Sequence, residues 1–105
     1  MAEVKLSPQA RLDLLSILEH LTDVAGPQIA REYDTQFKRI VENLGASPGT
    51  GSPRAHLGTK TRVTSVDPYL MFYDGGPRSR TVNILRILHG HRNITPEMIA
   101  RGRAS

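Results

Sequence analysis

Two hydrophobic rhythms divide this chain. Between residues 8 and 44 apolar side chains recur every three or four positions, whereas from residue 60 onward they alternate or run together. Ala10, Leu14, Ile17, Leu21 and Val24 are spaced by four, three, four and three residues, with Leu15 and Leu18 widening the stripe. That is one face of a helix. Ser7-Pro8 starts it, because a serine oxygen accepts from free first-turn amides and proline fits the first helical position. Ala25-Gly26-Pro27 ends this helix and opens another, whose stripe is Ala30, Tyr33, Phe37, Ile40 and Leu44 with Val41 beside it. Asp34 lies four residues before Lys38 on the polar side of that second helix. So short a turn folds the two helices into an antiparallel αα-hairpin, and both stripes read as core.

Strand signals flank the hairpin. Glu3 to Leu6 alternates polar and apolar. Residues 45–58 hold four glycines and two prolines, so they form a loop, of a length that tends to be functional or mobile. Lys60 to Val66 alternates again and stops at Asp67-Pro68. Tyr69 to Tyr73 is an apolar, aromatic run broken by Asp74-Gly75-Gly76-Pro77. Thr81 to Leu88 resumes as a β-branched strand with one charge, Arg86. Thr95-Pro96 starts a short final helix with Met98 and Ile99 on its apolar side, and the basic end from Arg101 to Ser105 is expected to fray. The expected fold is α+β, a single domain over residues 1–105. It has an N-terminal strand, an αα-hairpin, a three-stranded antiparallel meander and a short C-terminal helix.

Composition narrows the function. A chain of 105 residues can bury roughly two thirds of its unfolded surface unaided. It has no cysteine, hence no disulfide and no thiolate metal site. It shows no leader-like h-region and nothing near the roughly 20 apolar residues of a membrane span, so a cytoplasmic location without membrane contact is expected. The formal charge of +4 is unevenly shared. Residues 1–53 carry five Lys/Arg against seven Asp/Glu, and residues 54–105 carry nine against three. A basic half suits an anionic partner such as nucleic acid, the ribosome or an acidic protein segment.

The candidate chemistry gathers where the last strand ends. Arg86, His89, His91 and Arg92 follow one another there. A charge inside Ile84-Leu85-Arg86-Ile87-Leu88 either pairs with a carboxylate or lies on an open face. Simple alternation puts it beside Ile84 and Leu88, a mixed surface suited to a partner segment. Which sheet face the helices cover is left open. His89 has three readings: closing the core, touching a partner, or moving a proton near neutral pH. His89-x-His91 could ligate zinc, but with His56 and His20 far off in the chain a third ligand at suitable spacing is missing, so no metal and no cofactor is expected. Arg54, Lys60 and the tail arginines could track a nucleic-acid backbone. Against that, the chain has no helix-turn-helix reading helix and only 5% aromatic residues.

The element order and several motifs together resemble the RelE/ParE superfamily of bacterial toxins from type II toxin–antitoxin operons. The resemblance runs through Val4-x-Leu6-Ser7-x-x-Ala10-x-x-Asp13-Leu14, Pro53-Arg54-x-x-Leu57 and Pro68-Tyr69-Leu70-Met71-Phe72-Tyr73. The closing Ile87-Leu88-His89-Gly90-x-Arg92-Asn93-Ile94 is ParE-like in particular. Membership implies a small toxin held inactive by a cognate antitoxin whose C-terminal segment wraps it. ParE-like members poison DNA gyrase, and RelE-like members cut mRNA on the ribosome. Metal-free RNA cleavage needs a base, an acid and cations for the phosphorane. The RelE pattern supplies these from strand arginines and a late Tyr or His. Here Leu70 or Met71 stands where that pattern places arginine, and no tyrosine follows Tyr73.

The expected function is therefore gyrase inhibition by binding, without catalysis. Contacts to antitoxin or target are assigned to Arg62, Tyr69, Ile84, Arg86, Leu88, His89 and Arg92. The alternative is a ribosome-dependent mRNA endoribonuclease with Arg62, Arg86, His89 and Arg92 as its working set. A third reading is a family member with decayed toxicity that keeps only antitoxin binding.

Overall fold

Residues 1–104 are described by a computed structural model. Strand β1 (Glu3–Leu6) leads into helices α1 (Pro8–Ala25) and α2 (Pro27–Ala46). A two-residue strand β2 (Ser52–Pro53) follows, then β3 (Thr61–Val66), β4 (Tyr69–Asp74), β5 (Thr81–His89) and helix α3 (Pro96–Ala104). The sheet order is β1-β5-β4-β3-β2. β1 runs parallel to β5, and every other pairing is antiparallel. The meander thus gains a strand on each side. Ser52–Pro53, read as loop, pairs with Val63 and Arg62. Proline suits that edge because it has no amide to leave unpaired.

The helix signals act as read. Ser7 accepts from the Ala10 amide at 3.0 Å and Pro8 opens α1. Gly26 holds φ +95° between the helices, a backbone conformation that side chains disfavour. Ala10, Leu21, Ala30, Phe37 and Leu44 pack on Met71, Tyr73, Val82, Ile84 and Ile87. Leu15 and Val24 stay outside, 55% and 66% exposed. The apolar stripe of α1 is wider than the surface available to cover it.

The opposite sheet face is covered too. Ile99 of α3 joins Val63, Phe72, Leu85 and Leu88 in a second core, with Leu57, Leu70, Ile94 and Met98 at its rim. The C-terminal segment is therefore a docked helix through Ala104 rather than a frayed end, while Ser105 lies outside the described residues. Gly102 permits this docking, because a Cβ there would drive into the Leu85 carbonyl. Arg103 completes it by donating to both Asp74 oxygens, at 2.8 and 3.1 Å, and to the Thr61 hydroxyl at 3.0 Å.

A bulge in β5 serves both cores. Phe72 pairs with Arg86 and Tyr73 with Ile84, which leaves Leu85 as an extra residue. Ile84 and Ile87 consequently face the helical hairpin, whereas Leu85 and Leu88 lie beneath α3. The expected common face of Ile84, Arg86 and Leu88 does not exist. Simple alternation fails here because one inserted residue inverts the strand's side-chain phase.

Two tests follow from this packing. Phe37 is 2% exposed, so Phe37→Ala should cost about 3–5 kcal/mol in chemical denaturation. The second concerns acid. Burial pushes the Asp74 carboxyl up, but hydrogen bonds from Arg103 and Thr61 and the charges of Arg103 and Lys60 outweigh it, leaving the group below its ordinary 3.8. A depressed carboxylate stabilises the fold fully above the unfolded value and loses that contribution as pH falls through the folded one. The stability gap between wild type and Asp74→Asn, read from urea midpoints, should be present at neutral pH and narrow progressively below 3.8.

Candidate functional site

Beyond Ile84, β5 has no neighbouring strand on its β1 side, because β1 ends at Leu6. The backbone groups freed there are taken by the start of α1. The Ser7 hydroxyl donates to the Leu85 carbonyl at 2.9 Å, and the Ile87 amide donates to Asp13 Oδ2 at 3.0 Å. Arg86 completes the joint. Its Nε donates to Asp13 Oδ2 at 2.8 Å and its Nη2 to Asp13 Oδ1 at 3.0 Å. Its Nη1 donates to the Met98 carbonyl in α3 at 3.0 Å. The side chains of Arg86 and Asp13 are 7% and 10% exposed. Of the two readings of Arg86, carboxylate pairing is what the structure shows.

Just past this joint a cleft of about 320 Å³ opens between α1 and the end of β5. Asp13, Ser16, His20, Tyr69, His89 and Arg92 line it among apolar neighbours. Tyr69 is held edge-on to His89, with ring centres 5.6 Å apart, and edge-on to Tyr33 at 5.9 Å. Burial, then the neighbouring Tyr33, raises the Tyr69 phenol above its ordinary 10.0, so it stays protonated at neutral pH. His89 Nδ1 accepts from the His91 amide at 3.1 Å, which fixes the imidazole across the tight turn after β5. Arg92 is exposed and makes no ion pair among the described residues.

The seven expected contact residues therefore separate. His89 and Arg92 are exposed at the cleft, and Tyr69 is buried beneath it. Ile84 and Leu88 are buried in opposite cores. Arg86 is buried in its ion pair. Arg62 lies elsewhere: it pairs with Tyr73, whereas His89 pairs with Tyr69, four residues away or about 13 Å along the strand. Arg62 Nη1 donates to the Gly49 and Gly51 carbonyls at 3.1 and 2.8 Å, fastening the preceding loop. The ribonuclease set of Arg62, Arg86, His89 and Arg92 is thus not assembled. Sequence reasoning did not pick out Asp13 and His20 as site residues. Asp13 had a signal, being the lone carboxylate in residues 8–18 and adjacent to Leu14 of the buried stripe. Among the described residues no group of three or more His, Cys, Asp or Glu side chains is placed to hold a metal ion.

A family model described as the ParE toxin of type II toxin–antitoxin system, parDE, matches residues 4–94. The chain belongs to the ParE toxin family. No curated protein matches it. A solved structure of the chromosomal ParDE TA system from P. aeruginosa superposes with a TM-score of 0.69 at 24% identity, covering 85% of this chain and 96% of that one. That likeness establishes the fold. The ParE match includes Asp13, Arg86 and the whole His89–Arg92 turn, and it ends before α3.

In this ParE toxin the Asp13–Arg86 pair is buried, so removing one partner strands the other. Asp13→Ala should cost about 3–5 kcal/mol by urea denaturation. The double change Asp13→Leu with Arg86→Met, which leaves no unpaired charge, should recover much of that loss.

Proposed function

We propose that this ParE toxin inhibits DNA gyrase by binding and is neutralised by a cognate antitoxin that engages the His89–Arg92 end of the sheet. One observation carries the choice against RNA cleavage: Arg86 is committed to Asp13 and Met98. Among the described residues Arg92 is then the only arginine or lysine lining the cleft. Stabilising a dianionic phosphorane while moving protons at two oxygens needs more than one cation and two imidazoles. The same groups suit recognition. Arg92 and the imidazoles of His20 and His89 offer donors to a carboxylate, and Ile17, Leu21 and Ile87 give the cleft an apolar floor. Direct contact falls to His89 and Arg92, while Tyr69, Ile84, Arg86 and Leu88 support that surface from below. An antitoxin segment combining acidic and apolar residues fits it, and its binding should weaken with salt while an apolar remainder persists.

The reading is tested by incubating the purified chain with gyrase and supercoiled plasmid, and separately with translating ribosomes. Lost supercoiling or trapped cleaved DNA, with intact mRNA, is the expected result. Codon-phased mRNA cuts with unimpaired gyrase would overturn it. A general acid or base contributes on the order of a hundred- to ten-thousandfold, so His89→Ala would nearly abolish a ribonuclease. For a gyrase inhibitor we expect His89→Ala to leave toxicity within about tenfold of wild type, because one rim contact rarely exceeds 1.4 kcal/mol.

A further inference from the structure

We propose that the cleft between the start of β3 and the β4–β5 turn binds the phosphodiester backbone of DNA. This cleft encloses about 510 Å³ and lies at the opposite end of β4 from His89. Lys60, Arg62 and Arg78 line it together with Thr59 and Ser79, and among the described residues no acidic side chain does. None of the three cations forms an ion pair among the described residues. The neighbouring Asp74 is hydrogen-bonded to Arg103 and Thr61, and it feels the charge of Lys60 without forming an ion pair with it. A fold that converges three cations free of ion pairs on one concavity, with no described carboxylate in its lining, is set up to meet an anion.

The anion can be specified further. Arg62 is pre-anchored: Nη1 is held by the Gly49 and Gly51 carbonyls, which leaves the far side of its guanidinium fork available. An immobilised arginine loses little entropy on binding, and its planar donors match phosphate oxygens. Hydroxyls and arginines are the groups that contact nucleic-acid backbones. The lining contains no aromatic residue, so there is nothing for a splayed base to stack upon. It has no aliphatic anchor larger than proline either, which disfavours a peptide segment. Sequence-independent binding to duplex backbone remains. It is independent of the gyrase reading, since it requires only DNA and this chain.

The test is fluorescence anisotropy of a labelled 20-base-pair duplex with the full-length chain, titrated between 50 and 200 mM NaCl. Each phosphate contact contributes about 0.9 to the slope of log K against log salt, so three cations should give a slope of about −2.7. Lys60 and Arg78 are exposed and form no ion pair among the described residues, so the double variant Lys60→Gln, Arg78→Gln should fold normally. It should bind at least tenfold more weakly, with a slope near −0.9. Removing the same charge from α2, with Arg31→Gln and Arg39→Gln, should change affinity less than threefold. Equal losses in the two double variants, or no DNA binding at 50 mM NaCl, would overturn the proposal. So would displacement of the duplex by millimolar inorganic phosphate, which would mark a free-phosphate site. Displacement by a poly-glutamate peptide of equal charge would assign the cleft to a protein partner and overturn it as well.

Discussion

One guanidinium holds the three layers of this ParE toxin together. Arg86 leaves the sheet at a bulge, grips both oxygens of Asp13 in α1, and donates its remaining arm to a carbonyl of α3. Burying a charge costs several kcal/mol unless geometry and further hydrogen bonds compensate. Here Asp13 also accepts the Ile87 amide, so one carboxylate satisfies an arginine fork and an open strand edge at once. No buried side-chain polar atom among the described residues lacks a partner. The pair contributes orientation more than net energy. It fixes α1 against β5, and by doing so it fixes the wall of the cleft that His20 and His89 share.

The bulge is what makes that arrangement compatible with two cores. Without an extra residue, one β5 face would have to carry Ile84, Arg86 and Leu88 together. With Leu85 inserted, the strand turns Ile84 and Ile87 to the hairpin and Leu85 and Leu88 to α3. Arg86 then lands opposite Phe72, at the margin of the second core, from which it reaches both helices. The loop before β3 is secured by a parallel device. The Tyr73 hydroxyl donates to the Pro48 carbonyl and accepts from the Gly51 amide, both at 2.8 Å, while Arg62 takes two more carbonyls nearby. A glycine- and proline-rich segment that would otherwise be mobile is tied down by two side chains from the sheet.

What the sequence made legible were the features set by local chemistry. Ser7-Pro8, Gly26-Pro27 and Thr95-Pro96 mark helix starts because caps and proline act within one turn. The Phe37 and Leu44 stripe is core because periodicity alone assigns a face. The features that escaped depend on pairing across distance. A bulge has no signature in Ile84-Leu85-Arg86, and β2 is two residues held by a neighbour. The docking of α3 rests on Gly102 meeting a carbonyl and Arg103 meeting Asp74, partners separated by many residues in the chain. The surplus of carboxylate-free arginines was visible, but not which of them the fold would consume.

That consumption gives the charge asymmetry its meaning. Among the cations of the second half, Arg86 and Arg103 are spent on carboxylates, and Arg62 lends one arm to the loop. Arg92 is left at the His89 cleft, and Lys60 and Arg78 at the far end of the same strands. Like charges placed at random on a small domain would sit beside the acidic residues of α1 and α2, where i,i+4 pairs such as Asp34–Lys38 form readily. The helical layer is instead the acidic one, with four Arg/Lys against six Asp/Glu over residues 8–46, and cations left without ion pairs among the described residues gather at the sheet ends. A toxin built this way presents cations at two separate ends of one sheet. The His89 end combines its charge with an apolar floor and suits a protein, whereas the Lys60 end has charge and hydroxyls alone and suits a phosphate backbone.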